Sequence, residues 1–314
     1  MGSPPCSPAE SCLAYARACA EALFYDYCLP GPGLSTCSSP RPDAPREAMA
    51  ACVWAGYEAC LESCMAGLEK RVVFHRAWLS RILVAGLGAR GNACMGSLLL
   101  LSLMGNSIGY SLACYGSDDP VHVMGSSRIL VEQAGVEASK AFYLVLGSLK
   151  PSYLARISYS GLPDASTPLL AVSSLNAPLE VLAREASLYD PVLRELDRLM
   201  EATLAYGLPV LEESSCRGMR RLLACIVCSY GDMLVKRKAV LEEESWCRAC
   251  RGEAEPPAAP AGSAADIAVA AEAACLYYAR RGAGNTTPST SSTPSTLNHY
   301  SLGIEGCSAG YCWA

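Results

Sequence analysis

The stretch GNACMGSLLLLSLMGNSIGYSLACYGS, residues 91–117, decides the fold. It carries no charged side chain and is long enough to span a bilayer, for which about 20 apolar residues suffice. Yet it also holds Asn92, Ser97, Ser102, Asn106, Ser107 and Ser111, besides several glycines, and its flanks lack a convincing basic or aromatic anchor. That combination reads as the buried central helix of a helical protein, with no membrane partner.

Helix signals recur on both sides of it. Ser7-Pro8-Ala9-Glu10 is a capping box with proline in the first turn, opening an alanine-rich helix to about Tyr27. Pro30-Gly31-Pro32-Gly33 breaks it, and a proline-rich loop runs from Ser38 to Pro45. Met49, Val53, Tyr57 and Leu61 recur at helical spacing and predict a helix over Arg46 to Leu68. Arg71 to Val84 reads as a third helix. Downstream, Asp119-Pro120 starts a helical pair to about Leu149, and a loop with four Pro or Gly breakers follows from Lys150 to Ser174. Helices resume at Asn176-Ala177-Pro178, with turns near Tyr206 to Pro209 and near Gly231. After a break at Pro256 to Gly262, Ser263 begins a last helix to about Arg281. No run of alternating β-branched residues and no internal repeat interrupts this pattern. The expected fold is all-α, a single large multi-helix domain over residues 1–282. A Ser/Thr/Pro-rich tail, 283–314, buries too little apolar surface to fold and is expected to be disordered.

Composition agrees. Apolar residues make up 51% of the 314 and charged ones 18%, the balance of a packed protein rather than a disordered one. A net charge of −5 argues against nucleic acid as a partner, because phosphate binding needs a basic excess. The first dozen residues lack a basic segment followed by an apolar one, so a cytoplasmic location is expected. Eighteen cysteines are spread along the whole chain, unlike a short secreted disulfide scaffold. Arg outnumbers Lys and Gln133 is the sole glutamine, a lean toward a thermophile, whose cytosolic proteins also carry disulfides.

Two motifs attract attention and then lose it. Gly86-Leu87-Gly88-Ala89-Arg90-Gly91 matches G-x-G-x-x-G, but a dinucleotide site needs a strand before it and a parallel strand after it. The uncharged helix follows instead, so a glycine-rich interhelical turn is the reading. Cys225-Ile226-Val227-Cys228 and Cys247-Arg248-Ala249-Cys250 have the separation of a zinc site. The first lies in an apolar helix with no histidine near, where buried thiols or a disulfide are expected ahead of zinc.

Five further segments, in order, resemble the motifs of one family, the triphosphoribosyl-dephospho-CoA synthases. They are Asp26-Tyr27-Cys28-Leu29-Pro30-Gly31-Pro32-Gly33, with Asp43 in the loop beyond; Gly91-Asn92-Ala93-Cys94-Met95-Gly96; Tyr189-Asp190-Pro191-Val192-Leu193-Arg194-Glu195; Asp232-Met233-Leu234-Val235-Lys236-Arg237-Lys238; and Gly262-Ser263-Ala264-Ala265-Asp266. Departures from the family's pattern are Gly31 for a lysine, Ala93 and Met233 for threonines, and Pro260-Ala261 for Asn-Pro.

The resemblance implies that the ribose 2′-OH of 3′-dephospho-CoA attacks the anomeric carbon of ATP. Adenine leaves and the triphosphate stays on the transferred sugar. Such a transfer passes through an oxocarbenium-like transition state that a carboxylate stabilises. It needs a base for the hydroxyl and cations, with Mg²⁺, for the triphosphate. Asp190 and Glu195, five apart on adjoining faces of one helix, are the catalytic candidates. Asp190 also suits an N-terminal cap ahead of Pro191. Arg237 and Lys238 are candidates for the triphosphate clamp, although Glu242 stands four residues on and suits an ordinary helix pair with Lys238. Gly33, Asn92, Gly96 and Ser263 complete the nucleotide-binding set, with helix starts supplying backbone N–H groups. Mg²⁺ ligands would come from Asp190, Asp266, Asp26 and Asp43. The alternatives are a non-catalytic helical nucleotide-binding relative and a zinc-stabilised helical interaction protein. The sequence leaves a homodimer open.

Overall fold

The computed structural model describes residues 7–28, 36, 38–40, 42, 44–87, 94–150, 162–164, 166–188, 190–207, 219–231, 243–257 and 262–281. Among these residues there are twelve α-helices and no strand. They are α1 (Pro8–Cys28), α2 (Arg46–Leu68), α3 (Phe74–Val84), α4 (Met95–Tyr115), α5 (Pro120–Leu149), α6 (Pro168–Ser174), α7 (Leu179–Ala186), α8 (Pro191–Asp197), α9 (Glu201–Gly207), α10 (Met219–Tyr230), α11 (Glu243–Cys250) and α12 (Gly262–Arg280). The tail after residue 281 lies outside the described residues.

The central helix is α4. Every residue from Met95 to Ser111 is buried, with α2 packed most extensively on it and α5, α12 and α3 around the rest. Among the described residues it alone is long and apolar enough to cross a membrane, and here its apolar surface is covered by protein. The α2–α4 crossing depends on glycine. A Cβ at Gly105 would stand 2.9 Å from the Cys60 carbonyl oxygen, and one at Gly109 would collide with that of Cys64. From the other side, a Cβ at Gly67 would meet the Asn106 carbonyl and stand 2.7 Å from the Tyr110 nitrogen. The two backbones therefore touch, which only glycine permits.

Asn106, fully buried, meets all four of its hydrogen-bonding needs. Its Oδ1 accepts from Val73 N (3.0 Å) and Phe74 N (3.2 Å), and its Nδ2 donates to Ser63 O (3.1 Å) and Arg71 O (2.9 Å). Those bonds hold residues 71–73 out of the helix, so α3 starts at Phe74 rather than at Arg71 as the sequence suggested.

Local chemistry sets the other boundaries. The capping box closes reciprocally: Ser7 N donates to Glu10 Oε2 (2.7 Å) and Glu10 N to Ser7 Oγ (3.3 Å). Asp119 caps α5 through Val121 N (2.9 Å), with Pro120 in the first turn. The helical pair expected up to Leu149 is one helix broken at Gly135, where φ is +60°. One expectation fails: the loop predicted from Lys150 to Ser174 contains α6, which uses its breaker Pro168 as a first-turn proline.

Disulfides tie the core. Cys12–Cys64 joins α1 to α2, and Cys52–Cys94 joins α2 to the residue just before α4. Closing loops of 52 and 42 residues removes chain entropy worth about 4 kcal/mol each. At the far end of α12, the Asp118 carboxylate accepts from the Tyr277 hydroxyl and pairs with Arg281 Nε (2.8 Å), while Arg280 pairs with Glu21 of α1. Anchored there, α12 runs back so that its first turn arrives at the N-terminus of α4.

Candidate functional site

Four helix ends meet around the start of α4. Asp266, in the first turns of α12, turns its carboxylate to that start: Oδ1 accepts from Ser97 N (2.8 Å) and from the Ser97 hydroxyl. The α4 N-terminus carries orphan N–H groups and a partial positive charge, which an acidic side chain satisfies. Gly96 lies directly beneath this carboxylate. A Cβ there would run into Asp266 Oδ2 and would come within 2.8 Å of Val192 Cγ2. So Gly96 is needed for close approach, and α8 is the third element at the junction.

Asp190 opens α8. Its Oδ1 accepts from Val192 N (2.8 Å) and Leu193 N (3.3 Å), and the residue is 9% exposed. It is an N-cap, as its position before Pro191 suggested, and the cap also fixes the residue that packs at Gly96.

The fourth element is the C-terminal end of α1. Asp26 keeps some accessible surface but is crowded by protein, and burial, then the nearby Asp266 carboxylate, push it up to about 7. Tyr27 beside it is buried, and burial, then Asp26 and Asp266, hold its phenol well above the ordinary range. Asp26 and Asp266, near enough to interact, are hard oxygen donors of the kind Mg²⁺ takes one or two of, keeping its other positions for water and phosphate. No group of three or more His, Cys, Asp or Glu able to hold a metal is present among the described residues.

Glu195 has a different place. It is fully buried, with Oε1 accepting from Ala202 N (3.1 Å) and Oε2 from Thr203 N (2.7 Å) and the Thr203 hydroxyl (2.8 Å). It caps α9 across a turn in which Leu199 and Met200 both have positive φ, +59° and +62°. Two consecutive non-glycine residues there are strained, and Glu195 holds the turn. Burial raises its pKa, opposed by those hydrogen bonds. Both its oxygens are committed to α9, so it supports the site rather than lining it.

Ser263 sits in the first turn of α12, partly exposed, three residues before Asp266. Gly33, Asp43, Asn92, Arg237 and Lys238 lie outside the described residues. Ser97 and Val192 were not singled out as site residues in the sequence. A hydroxyl in the first turn of the uncharged helix was the one available signal for Ser97. Comparison with family profiles, curated proteins and solved structures finds no match for this chain.

Proposed function

We propose that this chain is a transferase of the triphosphoribosyl-dephospho-CoA synthase type, joining the triphosphoribosyl part of ATP to the 2′-OH of 3′-dephospho-CoA with release of adenine. One observation supports the reading. Four segments quoted for the family resemblance, around Asp26, Gly96, Asp190 and Asp266, lie up to 240 residues apart in sequence and yet meet at one junction. Arg237 and Lys238, of the remaining segment of the five, are proposed as the cationic clamp on the triphosphate.

In this reading Asp26 and Asp266 hold Mg²⁺, which would neutralise phosphate charge. Asp266 also keeps the start of α4 in place, and Gly96 leaves room for its carboxylate. Asp190 fixes the α8 N-terminus and contributes negative charge near the sugar as positive charge develops there. The proposed setting is cytoplasmic and thermophilic, where disulfides persist.

A second reading has its own support. Asp190 and Glu195, the two acids of the third segment, both cap helices. A helical relative that binds the nucleotide without turning it over would look like this. Adenine release from ATP·Mg²⁺, measured with and without 3′-dephospho-CoA, separates the two. Release that depends on the acceptor supports the transferase, and ATP binding without release supports the non-catalytic protein.

A further inference from the structure

The paired C-x-x-C units play no part in the junction at α4. In the structure they form two stacked cross-links between α10 and α11: Cys225–Cys250 and Cys228–Cys247, with Cα separations of 4.6 and 4.8 Å. The pairing is antiparallel and in register. On each helix the two cysteines are three apart and therefore share a face, about one turn from each other. Four sulfurs thus lie on one small patch between two helices.

Exposure divides the four disulfides between described residues into two classes. Cys12, Cys64, Cys52 and Cys94 are at most 1% exposed. The four cysteines of the α10–α11 hairpin all keep accessible surface. Thiol–disulfide exchange needs a thiolate to reach sulfur in line, so a dithiol reductant meets the hairpin before the core. Each exchange breaks one S–S bond and passes two electrons and two protons to the chain, while the reductant becomes a disulfide. Two exchanges leave four thiols on the patch.

We infer that these four thiols form a zinc site, so that the hairpin, once reduced, passes from a double disulfide to a zinc tetrathiolate. Zinc bonded to four sulfurs at about 2.3 Å sets them about 3.8 Å apart at tetrahedral corners. Breaking the disulfides lets each cross-helix pair open to that spacing. Along each helix the Cβ atoms of i, i+3 neighbours stand about 5–6 Å apart, so side-chain rotation can bring their sulfurs to that spacing. Binding Zn²⁺ releases four protons, one from each thiol, and the metal takes over the cross-linking of the two helices. The 18 residues between Cys228 and Cys247 are within the span used by zinc sites of this ligand pattern. The oxidised hairpin has no thiolate to offer, so zinc uptake follows reduction.

The test uses the full chain, treated with a mild dithiol reductant without denaturant. Alkylation and peptide mapping should show Cys225, Cys228, Cys247 and Cys250 labelled while Cys12, Cys64, Cys52 and Cys94 stay protected. After anaerobic removal of the reductant, about one zinc should bind per chain. Co²⁺ in its place should give the intense visible bands of a tetrahedral thiolate site. Cys228→Ser with Cys247→Ser should abolish both signals, and Cys12→Ser with Cys64→Ser should keep them. Reduced, still helical protein that takes up no metal overturns the inference, as does uptake indifferent to the Cys228/Cys247 change. Labelling of the core cysteines first overturns it too. If reduction lowers the helical circular dichroism, zinc must restore it, and failure to do so is equally decisive.

Discussion

Asp266 Oδ1 accepts a hydrogen bond from Ser97 N across 169 positions of sequence. That bond sets the first turn of α12 on the N-terminus of α4, and the rest of the candidate site follows from it. Gly96 must lack a side chain because Asp266 is there, and Asp266 adds to the burial that raises Asp26.

Asp266→Ala removes the acceptor for both the Ser97 N–H and its hydroxyl, and should cost about 1–3 kcal/mol in urea unfolding. Asp266→Asn keeps a carbonyl oxygen available to Ser97 and should cost less. Equal losses in the two variants would show that the negative charge at the helix end, rather than the hydrogen bond, ties α12 to α4.

Glu195 offers a sharper contrast. Glu195→Ala leaves the Ala202 and Thr203 N–H groups buried without acceptors and should cost about 3 kcal/mol. Glu195→Gln should recover little of that, because an amide NH₂ replaces one acceptor oxygen and faces a donor. The stabilisation brought by ATP·Mg²⁺ should be unchanged in any Glu195 variant that still folds. A Glu195→Gln protein of normal stability that no longer releases adenine would return Glu195 to a catalytic role.

The all-α architecture was legible because its signals are local. Capping at Ser7 and Glu10, the proline at 120 and the apolar period of α2 each act within a few residues. The burial of the uncharged helix was legible too, from its polar residues. What escaped was every feature that depends on contact between distant segments. Asn106 shortens α3 from another helix, and the Gly105–Gly109 face makes sense only against the Cys60 and Cys64 carbonyls. Likewise, Glu195 reads as a site acid in a motif and becomes a cap only once the strained turn at Leu199 and Met200 is seen. Of the residues the synthase motifs picked out, Asp266 lies against Gly96 and near Asp26, while Asp190 caps the helix whose Val192 packs there. Ser97, which links two of them, had only its helical position to mark it.

Asp26 gives the site a pH signature. Its folded pKa, raised to about 7 by burial and by Asp266, lies above the ordinary carboxylate value. Folding therefore favours the protonated form. Its contribution is full in acid below the ordinary value, and stability is lost as pH rises toward 7. Asp26→Asn removes the penalty, so the variant should exceed the parent in melting temperature at pH 8 and match it near pH 4. Mg²⁺ with ATP should narrow the gap at pH 8 by stabilising the parent's charged form. A constant difference across the pH range would mean that Asp26 is not the titrating group.

The nucleotide itself supplies the last prediction. A ligand that binds only the folded chain raises its melting temperature by mass action, so ATP with Mg²⁺ should do so here. Lys238→Met should weaken that shift, since it removes a charge proposed to meet the triphosphate. Asp26→Asn should also weaken it by removing a proposed Mg²⁺ ligand. Asp190→Asn separates the roles of the cap. An asparagine still accepts from Val192 N, so α8 stays capped and the ATP shift should persist. If the lost charge stabilises the sugar in the transition state, adenine release falls while binding remains. If binding and release fall together, Asp190 belongs to the metal. Unchanged release would make it a cap and nothing more. The glycine at 31, where the resembled family has a lysine, points to slow turnover, so the binding shift is the more sensitive measurement. No ATP-dependent stabilisation, with no adenine released at any acceptor concentration, would remove the chain from nucleotide chemistry altogether.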